Sequence, residues 1–212
     1  METKLDNLQT TELTDQELAK VKTDLNFIDV LTKKGKELGC RVIIHGGYAV
    51  EGALGRITRP HNDIDIQIHS NQDSQIIERL IADVEKDPNF QKLTLKDKGR
   101  NMFTHNFFAN GEVLGADIYY VQVKGDPFAE EKEVIKQDGT ISTKHGYGTQ
   151  TYTLEGVTFE GINPTSELAD KIYKREYKKD PVKPNHTQDI ENLKLITDPQ
   201  EVEANVQEFV KR

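Results

Sequence analysis

Residues 41–66 read RVIIHGGYAVEGALGRITRPHNDIDI, and this stretch decides the fold. Arg41-Val42-Ile43-Ile44 is a β-branched run that ends on His45-Gly46-Gly47, which predicts a buried strand closed by a glycine turn. Tyr48 to Leu54 then predicts a short helix opening directly after the glycines. Asp63-Ile64-Asp65-Ile66-Gln67-Ile68 alternates strictly, so a second strand carries isoleucine on one face and polar side chains on the other. Asp63 and Asp65 therefore project from the same face, about 6.5 Å apart along the strand. Two carboxylates that close repel each other. A hard divalent cation such as Mg²⁺ between them offsets that cost. The strand, Gly-Gly, helix sequence also leaves backbone N–H groups free for phosphate oxygens, with no Cβ in the way.

Upstream, Thr14-Asp15-Gln16-Glu17 has the form of a capping box, and Leu18, Val21, Leu25, Ile28, Val30 and Leu31 follow at roughly helical spacing. One helix is expected over about 14–38, preceded by a polar lead-in. Downstream, Asp73 to Glu85 predicts an amphipathic helix, and Phe90–Leu95, Met102–Ala109 and Glu112–Val123 predict strands. Asn110-Gly111 marks a hairpin between the last two. Residues 126–161 place turn signals (Asp138-Gly139, His145-Gly146, Glu155-Gly156) around short β-prone pieces. Asn163-Pro164 opens a helix with Leu168 and Ile172 on its apolar face, and Asp180-Pro181 and Lys183-Pro184 break it. Thr187–Ile196 and Pro199–Val210 predict two more helices. The expected fold is α+β: a mixed β-sheet core flanked by helices over 14–161, a flexible N-terminus over 1–13 and a C-terminal helical segment over 162–212.

A third carboxylate, Asp117, stands in a strand between Ala116 and Ile118, where a charge is expensive unless paired or metal-bound. Beside Asp63 and Asp65 it completes a set able to clamp both oxygens of an in-line displacement. Phosphate and divalent metal belong together, so the two features point to one site for a nucleoside triphosphate with Mg²⁺. Arg56 and Arg59, between the motifs, can steady phosphate charge. Each feature alone has a plainer reading. Gly-Gly is usually a loop, Asp-x-Asp is common on surfaces, Asp117 can pair with a lysine, and Arg56 and Arg59 can be solvated. The combination at this spacing is far more specific than its parts.

Composition bounds the rest. A chain of 212 residues with 35% hydrophobic and 30% charged residues, 15 Gly and 7 Pro is an ordinary globular protein. It is long enough to bury roughly 70% of its unfolded surface without disulfide or structural metal. The single cysteine, Cys40, excludes an internal disulfide and fits a reducing compartment. Net charge −8, from 36 Asp+Glu against 28 Lys+Arg, argues against nucleic acid as a partner. No apolar run reaches the roughly 20 residues needed to cross a bilayer, and the first eighteen residues carry no apolar leader, so a cytoplasmic protein is expected. The histidines show no metal-ligand spacing, which argues against zinc. The basic run Lys174-Arg175-Glu176-Tyr177-Lys178-Lys179 is either a solvated helix face or the positive wall of a nucleotide cleft.

These residues resemble the nucleotidyltransferase superfamily related to DNA polymerase β. Its pattern is hydrophobic-Gly-Gly/Ser, then two acidic residues alternating with hydrophobic ones, then a later strand carboxylate. Here these are Gly46-Gly47, Asp63-Ile64-Asp65-Ile66 and Asp117. The small antibiotic nucleotidyltransferases, which adenylylate lincosamides or aminoglycosides, are the most similar branch. Tyr48 after the glycines, the lead-in Arg59-Pro60-His61-Asn62-Asp63-Ile64-Asp65, and the tail pieces Leu168 to Lys171, Lys178-Lys179-Asp180 and Asp189 to Leu193 match that branch. The resemblance spans roughly 25–200.

The resemblance implies that Asp63 and Asp65 bind Mg²⁺ and that Asp117 binds a second metal beside the acceptor hydroxyl, where it can act as general base. It implies that Gly46, Gly47 and the N–H of Tyr48 cradle the triphosphate, with Arg59 and Lys171 reaching its phosphates; a solvated helix-face lysine is the plainer reading of Lys171. His61 is expected to shape the loop or the phosphate site rather than to bind metal. The implied reaction moves AMP (NMP) from ATP or another NTP to a hydroxyl of a small molecule. Small transferases of this kind can form a homodimer to build the acceptor pocket. Two alternatives remain: a toxin-type enzyme acting on tRNA or protein, and a nucleotide-binding module without catalysis. Against the latter stands the full set of three aspartates.

Overall fold

A computed structural model describes residues 7–97, 102–109, 112–129, 131–135, 141–145, 148–181 and 184–211. The first helix, α1 (Asp15–Glu37), starts where its capping box predicts. Thr14 accepts from the N–H of Glu17, and the Glu17 carboxylate accepts from the N–H of Thr14. Its inner stripe of Val21, Leu25, Ile28 and Leu31 is buried. After Gly39, in the left-handed region at φ 71°, come β1 (Arg41–His45) and α2 (Gly46–Leu54). The helix begins on Gly46 itself, so the glycines form its first turn rather than a separate loop before it.

The remaining elements are β2 (Asp63–Ser70), α3 (Gln75–Val84), β3 (Gln91–Asp97), β4 (Met102–Ala109), β5 (Glu112–Lys124), β6 (Glu131–Ile135), β7 (Ile141–His145), β8 (Thr149–Leu154) and β9 (Val157–Ile162). The helical tail is α4 (Pro164–Glu176), α5 (Pro184–Lys194) and α6 (Pro199–Val210). The main sheet runs β3-β4-β5-β2-β1-β9-β8, and β6 with β7 extends from the far end of β5. It is mixed: β2 is antiparallel to β1 and parallel to β5, while β1 is parallel to β9. The fold is thus α+β, as the alternation of patterns predicts.

The alternation in β2 sorts its faces. Ile64, Ile66 and Ile68 are fully buried, in one cluster with Phe27 of α1, Ile77 and Leu80 of α3, and Phe90 and Phe107. Each such side chain contributes about 1.5–3 kcal/mol of burial. A one-residue slip would put all three isoleucines in water, so the register is fixed. Asp63, Asp65 and Gln67 are forced to the other face. A second cluster joins the tail to α2: Val50 and Leu54 pack with Leu168, Ile190, Leu193 and Val206.

Asn163 caps α4 by accepting from the N–H of Ser166, with Pro164 at the first turn. Pro184 does not end a helix but starts α5, because a proline at the first turn lacks only an N–H that would have no partner there. Glu155 and Gly156, both at positive φ, form the tight turn between β8 and β9. The predicted turns at Asn110-Gly111 and Asp138-Gly139, Gly146, Lys183 and the first six residues lie outside the described residues. β4 and β5 nevertheless pair antiparallel, with Ala109 opposite Glu112. Among the described residues, no helix is long and apolar enough to cross a membrane.

Candidate active site

The parallel register of β2 and β5 sets Asp65 directly beside Asp117 and Asp63 beside Gly115. Neighbouring residues in register share a sheet face, so Asp63, Asp65 and Asp117 all project to the side opposite the isoleucine core. Burial, then the nearby charges of Asp63 and Asp117, push the Asp65 carboxyl above the usual carboxylate range. The Thr104 hydroxyl donates to Asp117 at 2.6 Å. Three mutually repelling carboxylates on one face fit a hard divalent cation. Among the described residues no three His, Cys, Asp or Glu side chains form a ready-made metal cage.

Gly46 touches this cluster. Its φ is 60°, and a Cβ there would lie 2.3 Å from Oδ2 of Asp65, so both backbone and space require glycine. Its N–H points to Glu167 at 3.4 Å. Gly47 faces elsewhere: a Cβ on it would lie 2.2 Å from Nδ1 of His61 and 2.9 Å from Nη2 of Arg59. Gly46 lines the cleft and Gly47 backs onto the wall behind it.

That wall is a buried network of charges. Arg59 meets Asp189 through two bonds, Nε at 2.8 Å and Nη2 at 2.9 Å. Asp189 also lies 3.0 Å from Nζ of Lys171, which is 3.4 Å from Glu167. Burial would raise the Asp189 carboxyl, but the Arg59 hydrogen bonds and the Lys171 charge hold it below the usual range. Burial would likewise lower the Lys171 ammonium, but Glu167 and Asp189 outweigh it and raise it. His61 bridges Glu51 at 3.0 Å and Arg59 at 3.1 Å, and Glu51 takes the N–H of Thr58 at 2.7 Å. His61 therefore does shape the loop between the two motifs.

Besides Gly47, two more residues expected at the nucleotide, Tyr48 and Arg59, do not line the cleft. The Tyr48 hydroxyl donates to Asp24 of α1 at 2.6 Å, and its ring lies 4.4 Å from that of His61. Arg59 is committed to Asp189. Both hold the frame that carries the glycines. Sequence patterns alone do not single out Glu51, Glu167 and Asp24, and they mark Asp189 only as part of a tail motif. The one visible signal of these residues is a charge set among the apolar positions of a helix.

The cleft itself has a volume of about 410 Å³, within the roughly 300–1,000 Å³ range of small-ligand sites. His45, Gly46, Asp65 and Tyr119 form the sheet side, and Lys171, Lys174 and Lys178 stand on the tail side. Lys174 pairs with Asp170 at 2.6 Å. Burial would lower its ammonium, but Asp170, then Glu167 and Asp65, raise it above the ordinary lysine value. Lys174, Arg175 and Lys178 of the basic run line this cleft, while the run as a whole is mostly exposed to solvent. Of the three aspartates Asp65 lines the cleft, and the tail side mixes Lys171, Lys174, Arg175 and Lys178 with Glu167, Asp170 and Asp180.

The structure of ANT(2'')-Ia in complex with adenylyl-2''-tobramycin superposes with a TM-score of 0.57 and 17% identity, covering 90% of this chain and 98% of that one. The lincomycin-bound lincosamide antibiotic adenylyltransferase LnuA gives 0.55 and 17%, covering 88% and 100%. An antigenic nucleotidyltransferase-like protein from Paracoccidioides brasiliensis gives 0.54 and 17%, covering 95% and 90%. At such identities the likeness is one of fold. No curated protein matches the chain significantly. The sequence profile of the aminoglycoside-2''-adenylyltransferase family matches residues 27–145, which takes in both motifs and all three aspartates. That match spans more than half of the chain, and the protein accordingly belongs to the aminoglycoside-2''-adenylyltransferase family and is a nucleotidyltransferase.

Proposed function

We propose that the protein transfers AMP from ATP, with Mg²⁺, to a hydroxyl of a small acceptor, an aminoglycoside or lincosamide antibiotic, in the cytoplasm where ATP is made. The observation that carries this is the pairing of Asp65 beside Asp117 with Gly46 packed against Asp65. The tobramycin adduct and the lincomycin of the two structural neighbours support the acceptor class. The chemistry belongs to the core over 14–161, with the tail over 162–212 supplying Lys171.

Asp63, Asp65 and Asp117 would hold Mg²⁺, which when bound neutralises phosphate charge and makes an acceptor hydroxyl more acidic. The start of α2 at Gly46 offers the positive end of the helix to phosphate oxygens. Lys171 and Lys174 stand across the cleft to balance the triphosphate. Asp117, on the acceptor side, takes the hydroxyl proton as the acceptor oxygen bonds to the α-phosphorus and the bond to the β-phosphate oxygen breaks. Pyrophosphate leaves with the electron pair of that bond. A tRNA acceptor is disfavoured by the net charge of −8. Transfer of label from α-labelled ATP to a panel of aminoglycosides, lincosamides and bulk tRNA tests the reading. Label on an antibiotic supports it, and label on tRNA alone refutes it.

A further inference from the structure

The chain ahead of α1 is tied to the helical tail. Leu8 is buried in the same cluster as Val50, Leu54, Ile190 and Leu193. The backbone of Gln9 is held by one side chain of α5: its N–H donates to Oδ1 of Asn192 at 2.8 Å, and its carbonyl accepts from Nδ2 of Asn192 at 2.9 Å. A side-chain amide offers a donor and an acceptor as a backbone does, so Asn192 pairs with Gln9 as a neighbouring strand would. Asn192 is itself buried, and leaving its amide without a partner would be costly.

Gln188 stands one turn earlier on the same face of α5. Its Nε2 donates to the Gln9 carbonyl at 2.9 Å and to the Thr58 carbonyl at 3.2 Å. The N–H of Thr11 donates to that same Thr58 carbonyl at 2.7 Å. Thr58 and Gln188 are the residues immediately before Arg59 and Asp189, the two halves of the buried ion pair. Thr58 is anchored from the other side as well, its N–H and hydroxyl both donating to Glu51 of α2. The segment therefore bridges the loop and the helix at the very residues that bring Arg59 to Asp189. Asp189 in turn meets Lys171, which lines the cleft.

Resting on the ATP site of the reading above, we propose that residues 8–11 are a positioning element of that site. They staple Thr58 to Gln188 and Asn192, which keeps Asp189 against Arg59 and sets Lys171 in the cleft. The affinity for ATP then scales with the fraction of molecules whose strap is docked. A change that leaves roughly one molecule in ten docked raises the ATP dissociation constant about tenfold. Turnover at saturating ATP stays the same, because ATP selects the docked form. The Gln9 contacts use backbone atoms, and its side chain is exposed. Gln9→Pro removes the N–H that Asn192 receives, whereas Gln9→Ala keeps both backbone atoms. Gln188→Ala removes the amide shared by strap and loop. Neither Gln9 nor Gln188 lines the cleft.

The test is calorimetric titration of Mg-ATP into the wild type and the three variants, with Tm for each and transfer kinetics on lincomycin and tobramycin. Expected are an ATP Kd and KM raised about tenfold in Gln9→Pro and in Gln188→Ala with kcat retained, and wild-type values in Gln9→Ala. A lowered Tm with unchanged ATP affinity in both makes the strap a stabiliser alone and overturns the inference. Gln9→Ala as damaging as Gln9→Pro overturns it too, since the side chain and not the backbone would then matter. The expected pattern of ATP affinities without transfer to either antibiotic supports the strap and removes the transfer reading instead. A wild type that binds no Mg-ATP removes both.

Discussion

Asp189 grips Arg59 through both carboxylate oxygens, at 2.8 and 2.9 Å, joining α5 to the loop that leads into β2. The same carboxylate lies 3.0 Å from Nζ of Lys171, so one tail residue sets both the loop and the cleft lysine. Removing one partner of a buried pair leaves the other uncompensated, at a cost of about 3–5 kcal/mol. For a chain of this size each kcal/mol moves Tm by roughly 2–4 °C. Asp189→Ala should therefore lower Tm by about 10 °C and raise the KM for ATP, as read by calorimetry and transfer kinetics. A Tm within a degree of wild type would show the network to be ornamental.

Neutralising one of the three aspartates should separate stability from activity. The Asp65 carboxyl is pushed up by burial and by its two acidic neighbours, so the cluster destabilises the metal-free protein. Asp63→Asn should leave Tm unchanged or slightly higher without Mg²⁺, yet reduce transfer at least about a thousandfold, a loss of some 4 kcal/mol of transition-state stabilisation. The thermal shift of the wild type with Mg-ATP should shrink in the variant. A large fall in Tm without metal would contradict the repulsion.

Glycine is required at Gly46 for two reasons and at Gly55 for one. Both have positive φ, but a Cβ on Gly46 collides with Asp65 while one on Gly55 meets nothing within 4 Å. Gly55→Ala should cost only the left-handed penalty of about 1–2 kcal/mol and keep full activity. Gly46→Ala should cost more and abolish transfer by displacing Asp65. Chemical denaturation and transfer assays on the pair decide it; equal activity of the two variants would refute the packing argument.

Burial lowers the His45 imidazole to about 4. Its folded pKa thus lies below the ordinary value of about 6.5. Above that value neither state binds the proton, and His45 costs nothing. Between about 6.5 and 4 the unfolded chain takes up the proton and the folded one does not, so stability falls as the solution is acidified. His45→Asn should flatten the fall in Tm over this window relative to wild type. Parallel curves would contradict it.

The first motif is legible in the sequence because its physics is local. Alternation in Asp63–Ile68 fixes both the strand and the face of its carboxylates, and the apolar neighbours of Asp117 mark its place in β5. Tyr48 escapes such a reading for a geometric reason: two residues after Gly46, at about 100° each, turn it to the far side of α2 and into α1. The Arg59–Asp189 pair spans 130 residues, and no local pattern announces such a partner. The start of α2 lies earlier than the sequence suggests because glycine is a poor helix former; contacts with Asp65 and His61 require it there regardless.

In the proposed reaction Asp117 acts with Asp65 across the β2–β5 register. The most direct measurement is transfer of label from α-labelled ATP to lincomycin or tobramycin by wild type and Asp117→Asn, each with Mg²⁺ and with chelator. The expected result is labelled antibiotic from wild type with Mg²⁺ alone, and none from the variant although it folds. Equal labelling by the variant, or labelling undiminished by chelator, would contradict it.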